Sequence, residues 1–228
     1  MINRELQKRI LSSIILIPIA LFFLIKGSIF FIFFLSILFL ATSYEWIKMI
    51  KRNDLLKILG IIFLILSFYS AYQLRNIAGF KYFLLIVLVC IFTDIGGYVF
   101  GKIFKGPKLT KISPNKTFAG ALGGFILAVI VSLIYSNYYT SYMIVYSLPS
   151  KFIELIKNTD AIFLIWVLFI SLISQIGDLI ISYFKRLAKI KDTGKIIPGH
   201  GGLLDRIDGM IFTFPVVYII NLTEYLNV

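Results

Sequence analysis

The stretch Ser171-Leu-Ile-Ser174-Gln175-Ile-Gly177-Asp178-Leu-Ile-Ile-Ser182-Tyr-Phe-Lys185 decides how this chain folds. Ser171, Ser174, Gln175, Asp178, Ser182 and Lys185 recur every three or four positions. That spacing places them in one stripe along a helix whose other faces are apolar. The helix belongs to an apolar segment, 161–184, long enough for the ~20 residues that a bilayer core requires. A stripe that carries a carboxylate cannot face lipid. It either lines a cavity or meets other helices through hydrogen bonds as a structural seam. Because it runs straight into a polar loop, the cavity is the favoured reading.

Six further apolar segments accompany it, at 10–25, 28–47, 57–74, 82–101, 118–137 and 208–222. The 228 residues are 59% hydrophobic and 15% charged, with a mean hydropathy of +0.94. Soluble domains are only ~45–50% apolar. The expected fold is therefore an all-α polytopic membrane protein, a single domain over 1–228 with about seven transmembrane helices. The first segment follows Arg4, Lys8 and Arg9 and so looks like a signal peptide. No small-residue cleavage site follows it, and an uncleaved helical hairpin is expected instead. Residues 142–157 have the composition of an amphipathic helix lying along the outer interface. The single cysteine, Cys90, sits in an apolar run and reads as a core residue.

The net charge of +12 does not mark a nucleic-acid binder, because the cations sit at the ends of apolar segments rather than on a solvated face. With the N-terminus inside and seven alternating spans, the inner segments hold 18 of the 23 lysines and arginines. That bias predicts an N-in, C-out topology in the cell membrane, with the long basic loops facing the cytoplasm.

Two of those loops carry chemistry. Between Ser182 and Asp208 lie Lys185, Arg186, Lys189, Lys191, Asp192, Lys195, Pro198-Gly199-His200-Gly201-Gly202, Asp205 and Arg206. Cations and glycine-freed amides suit phosphates, and clustered aspartates suit a hard ion such as Mg²⁺. Asp205 and Asp208 would share a face at a helix start and could hold one ion together. Arg206 points elsewhere and could pair with a phosphate or with Asp192. His200, the only histidine, could be a base or part of a tight turn. With one histidine and one distant cysteine, a zinc site is not expected. The loop from Lys102 to Lys116 brings Ser113, Lys116 and Thr117 to a glycine-rich helix start, where free N–H groups favour anions. Asp94, in Thr93-Asp94-Ile95-Gly96-Gly97-Tyr98-Val99-Phe100-Gly101, is an intramembrane carboxylate that needs protein, water or an ion beside it. Gly97 and Gly101 form a GxxxG pair that permits close helix approach. There is no Walker loop, and no Ser-His-Asp assignment is compelling.

The run Ser182, Lys185-Arg186, Lys191-Asp192, Pro198-x-His200-Gly201-Gly202, Asp205-Arg206-x-Asp208 resembles the signature of the phosphatidate cytidylyltransferases, or CDP-diacylglycerol synthases. Asp94-x-Gly96-Gly97-Tyr98, Ser113-Pro114-x-Lys116-Thr117 and Gln175-x-Gly177-Asp178 are similar to further family elements, so the resemblance covers about 90–210. It implies that CTP and phosphatidate give CDP-diacylglycerol and pyrophosphate with Mg²⁺, a second cation being compatible. Residues 81–228 would then be the catalytic helices and loops, and 1–80 the N-terminal helices. Asp178 and Asp205 would bind metal, with Asp94 and Asp208 as further candidates. Lys185, Arg186, Lys191 and Arg206 would clamp phosphates. Ser113, Lys116, Thr117, Ser182, Asp192, His200, Gly201 and Gly202 would line the substrate site. The bilayer is the implied environment, no nucleic-acid partner is implied, and a homodimer is compatible. Two positions depart from the family pattern: Ala119 replaces a frequent acidic residue, and Asn115 a frequent lysine. The competing readings are a CTP-dependent enzyme acting on an isoprenoid ether lipid or a polyprenol, and an ion-coupled transporter using Asp94 and Asp178.

Overall fold

The computed structural model describes residues 4–51, 53–110, 112–138, 159–199 and 201–225. Seven helices and no β-strands occur among the described residues: α1 (Arg4–Lys26), α2 (Ser28–Met49), α3 (Asp54–Ile77), α4 (Gly79–Phe104), α5 (Phe118–Tyr138), α6 (Thr159–Leu187) and α7 (Leu204–Tyr225). Each coincides with one of the apolar segments, extended by a few residues at its ends. The segment 142–157 lies outside the described residues.

Local chemistry sets the boundaries. Gly27 turns the chain between α1 and α2 with φ of 67°, a region that glycine enters at little cost. The Asn53 side chain caps α3 by accepting from Leu56 N at 3.0 Å, the usual way to satisfy an orphan N–H at a helix start. The Thr117 hydroxyl does the same for α5, accepting from Gly120 N at 3.0 Å.

Among the described residues, five helices are long and apolar enough to cross a membrane: α2, α3, α4, and the stretches Phe118–Ser136 of α5 and Ala161–Leu187 of α6. Seven spans were expected. The other two helices, α1 and α7, are as long but less uniformly apolar. In α1 the first turns are charged, with Arg4, Glu5, Lys8 and Arg9. In α7 the first turn is charged, the helix contains Pro215, and Thr213 and Asn221 are buried. That helix packs along α3 and α6 and touches α2 and α4, so it is surrounded by protein rather than lipid and its composition is relaxed. The outward faces of α1 to α3 carry exposed Ile14, Ile17, Ile29, Leu40, Leu55 and Ile62, as a lipid-facing surface demands. Cys90 is a buried free thiol in the core, as expected.

The tightest helix pair is α4 with α5. The GxxxG pair takes part, since a Cβ at Gly120 would lie 2.7 Å from Gly97 O and 3.3 Å from Gly101 Cα, but Gly96 leaves even less room for a side chain of its own. A Cβ there would lie 2.9 Å from Gly124 Cα, and closer still to the Gly123 carbonyl, whereas one at Gly97 would meet nothing nearer than 3.8 Å. Gly96→Ala is expected to cost about 1–3 kcal/mol by overpacking, while Gly97→Ala is expected to be tolerated. Thermal unfolding of the two variants in detergent checks this difference.

Candidate active site

The C-terminal ends of α4 and α6 and the N-terminal ends of α5 and α7 converge where the two polar loops meet. Asp94 is ten residues before the end of α4 and Asp178 nine before the end of α6. At ~1.5 Å per residue both lie roughly 14 Å below the helix ends. Asp208 comes in from the first turns of α7 and is 5% exposed.

These three carboxylates form the centre. Asp178 and Asp208 are within side-chain hydrogen-bonding reach of each other, and Asp94 is close enough to interact electrostatically with both. Lys116, from the α4–α5 loop, pairs with Asp178 Oδ2 at 2.5 Å. Ser182 Oγ donates to Asp178 Oδ1 at 3.3 Å. The charge of Lys185 acts on Asp178 and Asp208, and that of Arg206 on Asp94. Carboxylates and cations from three helices and the α4–α5 loop are thus gathered in a site sunk below the bundle end.

The stripe that opened the sequence reading divides in two. Its deeper part is a seam: Ser171 Oγ lies 2.7 Å from Thr93 Oγ1 of α4, Gln175 Nε2 donates to Ala121 O of α5 at 3.3 Å, and Ser174 is buried against Gly209 of α7. Its inner part, Asp178, Ser182 and Lys185, lines the site. The seam reading therefore holds over the deeper half of the stripe.

Asp205, expected to be a metal ligand, is engaged by protein donors on both of its oxygens, as Asp178 is. Its Oδ1 accepts from Lys185 Nζ at 2.7 Å. Its Oδ2 faces Thr193 N at 2.8 Å, Thr193 Oγ1 at 3.1 Å and Gly202 N at 3.1 Å. Both oxygens are already filled by donors, so this carboxylate ties the α6–α7 loop to α7 and holds Lys185. Arg186 is exposed and donates to Ile112 O and Ile190 O, both at 3.3 Å, which joins the two polar loops. Ser113 and Thr117 serve the α4–α5 loop itself: Ser113 N donates to Thr110 Oγ1 and Thr117 caps α5. Lys191 and Asp192 lie exposed at the rim. Gly199 and Gly201 have φ of 77° and 88°, and Ile197 N donates to Gly201 O at 3.0 Å. His200 itself lies outside the described residues.

One residue escaped the sequence reading. Glu45 of α2, 1% exposed, sits behind the α6–α7 loop and accepts from Leu203 N, Leu204 N and Thr193 Oγ1 at 2.9, 2.8 and 3.0 Å. The signal was available. Glu45 is an ionisable residue inside the apolar segment 28–47, and the cost argument applied to Asp94 applies equally to it.

Among the described residues no three His, Cys, Asp or Glu groups close into a ready metal cage. An open pair of carboxylates nevertheless fits Mg²⁺, which takes one or two carboxylates and fills its remaining positions with water and substrate phosphates. The donor set, all oxygen and hard, is right for that ion and wrong for zinc.

Such a site, in a bundle of apolar helices, is the equipment of a membrane-embedded enzyme that handles phosphates. The chain belongs to the cytidylyltransferase family, whose sequence model matches residues 55–223, and it is a nucleotidyltransferase. It is similar to the phosphatidate cytidylyltransferase of Rickettsia bellii, 34% identical over 224 residues that cover 95% of this chain and 91% of that protein. It is similar to the phosphatidate cytidylyltransferase of Rickettsia typhi, 36% identical over 96% of this chain and 93% of that one. It is also similar to the phosphatidate cytidylyltransferase of Bacillus subtilis, 36% identical over 70% of this chain but only 55% of that protein's length. Glu45 precedes the residues matched by the family's sequence model.

Proposed function

We propose that this protein transfers the cytidylyl group of CTP to phosphatidate, releasing pyrophosphate and leaving CDP-diacylglycerol in the bilayer. The supporting observation is the Asp178–Asp208 pair with Lys116, Lys185 and Arg206 around it, sunk where a lipid headgroup and a nucleotide can meet. An oxygen of the phosphatidate phosphate attacks the α-phosphorus of CTP. The bond from that phosphorus to the bridging oxygen breaks, and the electron pair leaves with pyrophosphate. Because the nucleophile is already an anion, no protein base is needed, and the task is to bring two anions together. Lys116, Lys185 and Arg206 neutralise phosphate charge and orient the reacting groups. When bound at Asp178 and Asp208, with Asp94 behind them, Mg²⁺ would supply Lewis-acid stabilisation of the charge that develops on the phosphates. Asp205 sets the position of Lys185 rather than holding the ion.

The deciding experiment incubates purified protein with labelled CTP, phosphatidate and Mg²⁺ and separates the lipid products. A labelled CDP-lipid with stoichiometric pyrophosphate is expected. Label appearing only when phosphatidate is replaced by a polyprenyl phosphate or an ether-lipid phosphate would overturn the substrate assignment.

The active site is proposed to face the cytoplasm, the side that supplies CTP, in a bacterial cell membrane with N-in, C-out topology. The grouping of the basic loops at one end of the bundle supports this. Single cysteines at exposed Lys195 and exposed Lys26 test it, because the native Cys90 is buried. Lys195→Cys is expected to react with an impermeant maleimide only in inverted vesicles, and Lys26→Cys only in intact spheroplasts. Labelling of both from one side would refute the seven-span topology.

A further inference from the structure

Helix α7 begins at Leu204 and is preceded by Leu203, neither of which carries an acceptor. Its first N–H groups are orphans by construction, and they lie where water is scarce. Glu45 supplies the missing cap from another helix. Its Oε1 accepts from Leu203 N and its Oε2 from Leu204 N, at 2.9 and 2.8 Å. A negative charge at a helix N-terminus is also favoured by the aligned peptide dipoles.

The same Oε2 accepts from Thr193 Oγ1 at 3.0 Å. Thr193 N donates to Asp205 Oδ2, whose Oδ1 holds Lys185. A continuous path therefore runs from α2 through Glu45, Thr193 and Asp205 to the lysine beside Asp178 and Asp208. Two glycines record the space it needs. Neither Gly194 nor Gly202 has a positive φ, so neither is required for its backbone freedom. A Cβ at either position would overlap the Glu45 carboxylate. Glu45 lies 148 positions from Thr193 in the chain and touches none of Asp94, Asp178 or Asp208.

We infer that Glu45 is a positioning residue for cytidylyl transfer: from α2 it fixes the α6–α7 loop and the first turn of α7, and so holds Lys185, Arg206 and Asp208 in register. The inference rests on the placement of those residues in the site proposed above. Trp46, its neighbour, serves as the packing control, since its ring meets Phe184 at 5.0 Å between centroids and its Nε1 donates to Leu56 O.

The test uses the full chain in detergent and reads three quantities: turnover per folded molecule, thermal midpoint, and hydrogen-exchange protection of the 193–204 amides. Glu45→Gln keeps the shape but places an amide NH₂ among donors. Turnover is expected to fall about 10–100-fold, the usual effect of losing a group that orients a site, with protection lost at Leu203 and Leu204. Trp46→Phe is expected to lower the midpoint while turnover per folded molecule stays as in the parent. Thr193→Val breaks the same path, so the double variant with Glu45→Gln should be little worse than the more damaging single one. Turnover of Glu45→Gln within twofold of the parent, unchanged amide protection, or losses that multiply in the double variant would each overturn the inference. A parent protein without cytidylyl transfer would instead refute the proposed activity. Amide protection would then still report whether Glu45 orders the loop.

Discussion

Asp178→Asn is expected to reduce cytidylyl transfer by at least about 10³-fold, at the upper end of what losing one preorganised charge-stabilising group costs. Its thermal midpoint in detergent should be unchanged or slightly raised. Two features of the site set the second half of that expectation. Asp178 and Lys116 are each about a quarter exposed, and an asparagine's amide oxygen still accepts from Lys116, so the contact is weakened rather than broken. Against that small loss stands relief of repulsion with Asp208, the adjacent buried carboxylate. The first half follows because an amide cannot offer the anionic oxygen that a divalent cation requires. Titration of Mn²⁺ binding by electron paramagnetic resonance should show weakened binding, independently of turnover. Retained turnover, or activity and stability lost together, would show that Asp178 is part of the structural seam.

Asp205→Asn is expected to behave in the opposite way, losing activity and stability together. The two oxygens of Asp205 serve opposite partners, Lys185 on one side and the Thr193 and Gly202 amides on the other. An asparagine can satisfy only one side, and its NH₂ then faces donors on the other. The Lys185–Asp205 pair is well buried, with side chains 11% and 8% exposed. Breaking such a pair costs about 3–5 kcal/mol because a charge is left uncompensated. Thermal unfolding of the two aspartate variants side by side checks the contrast. If Asp205→Asn kept the parent's midpoint while losing Mg²⁺ response, it would belong with the metal ligands after all.

Much of this architecture is legible in composition and periodicity. Seven apolar segments appear as seven helices because lipid exposure imposes long, nearly uninterrupted apolar runs. Asp94 and Asp178 stand out for the same reason, since an ionisable residue in such a run must be compensated. The spacing of Asp178, Ser182 and Lys185 on one helical face carried them to the site without help from the fold. The family was readable too, because its signature is contiguous along one loop and the helix starts that flank it.

The tertiary structure alone decided which partner each polar group finds. Nothing local distinguishes Ser171, in a seam with Thr93, from Ser182, beside Asp178, because both are serines on one stripe. Asp205 and Asp208 differ by one helical turn, yet one faces three donor groups and the other a second carboxylate. Gly96 outranks Gly97 at the α4–α5 contact because of helix rotation, which a GxxxG pattern does not specify. Glu45 shows the limit most plainly. Its demand for compensation was written in the apolar segment around it. Its partners lie about 150 residues away, and only the packing of α2 against the start of α7 brings its carboxylate to amides that have no acceptor of their own.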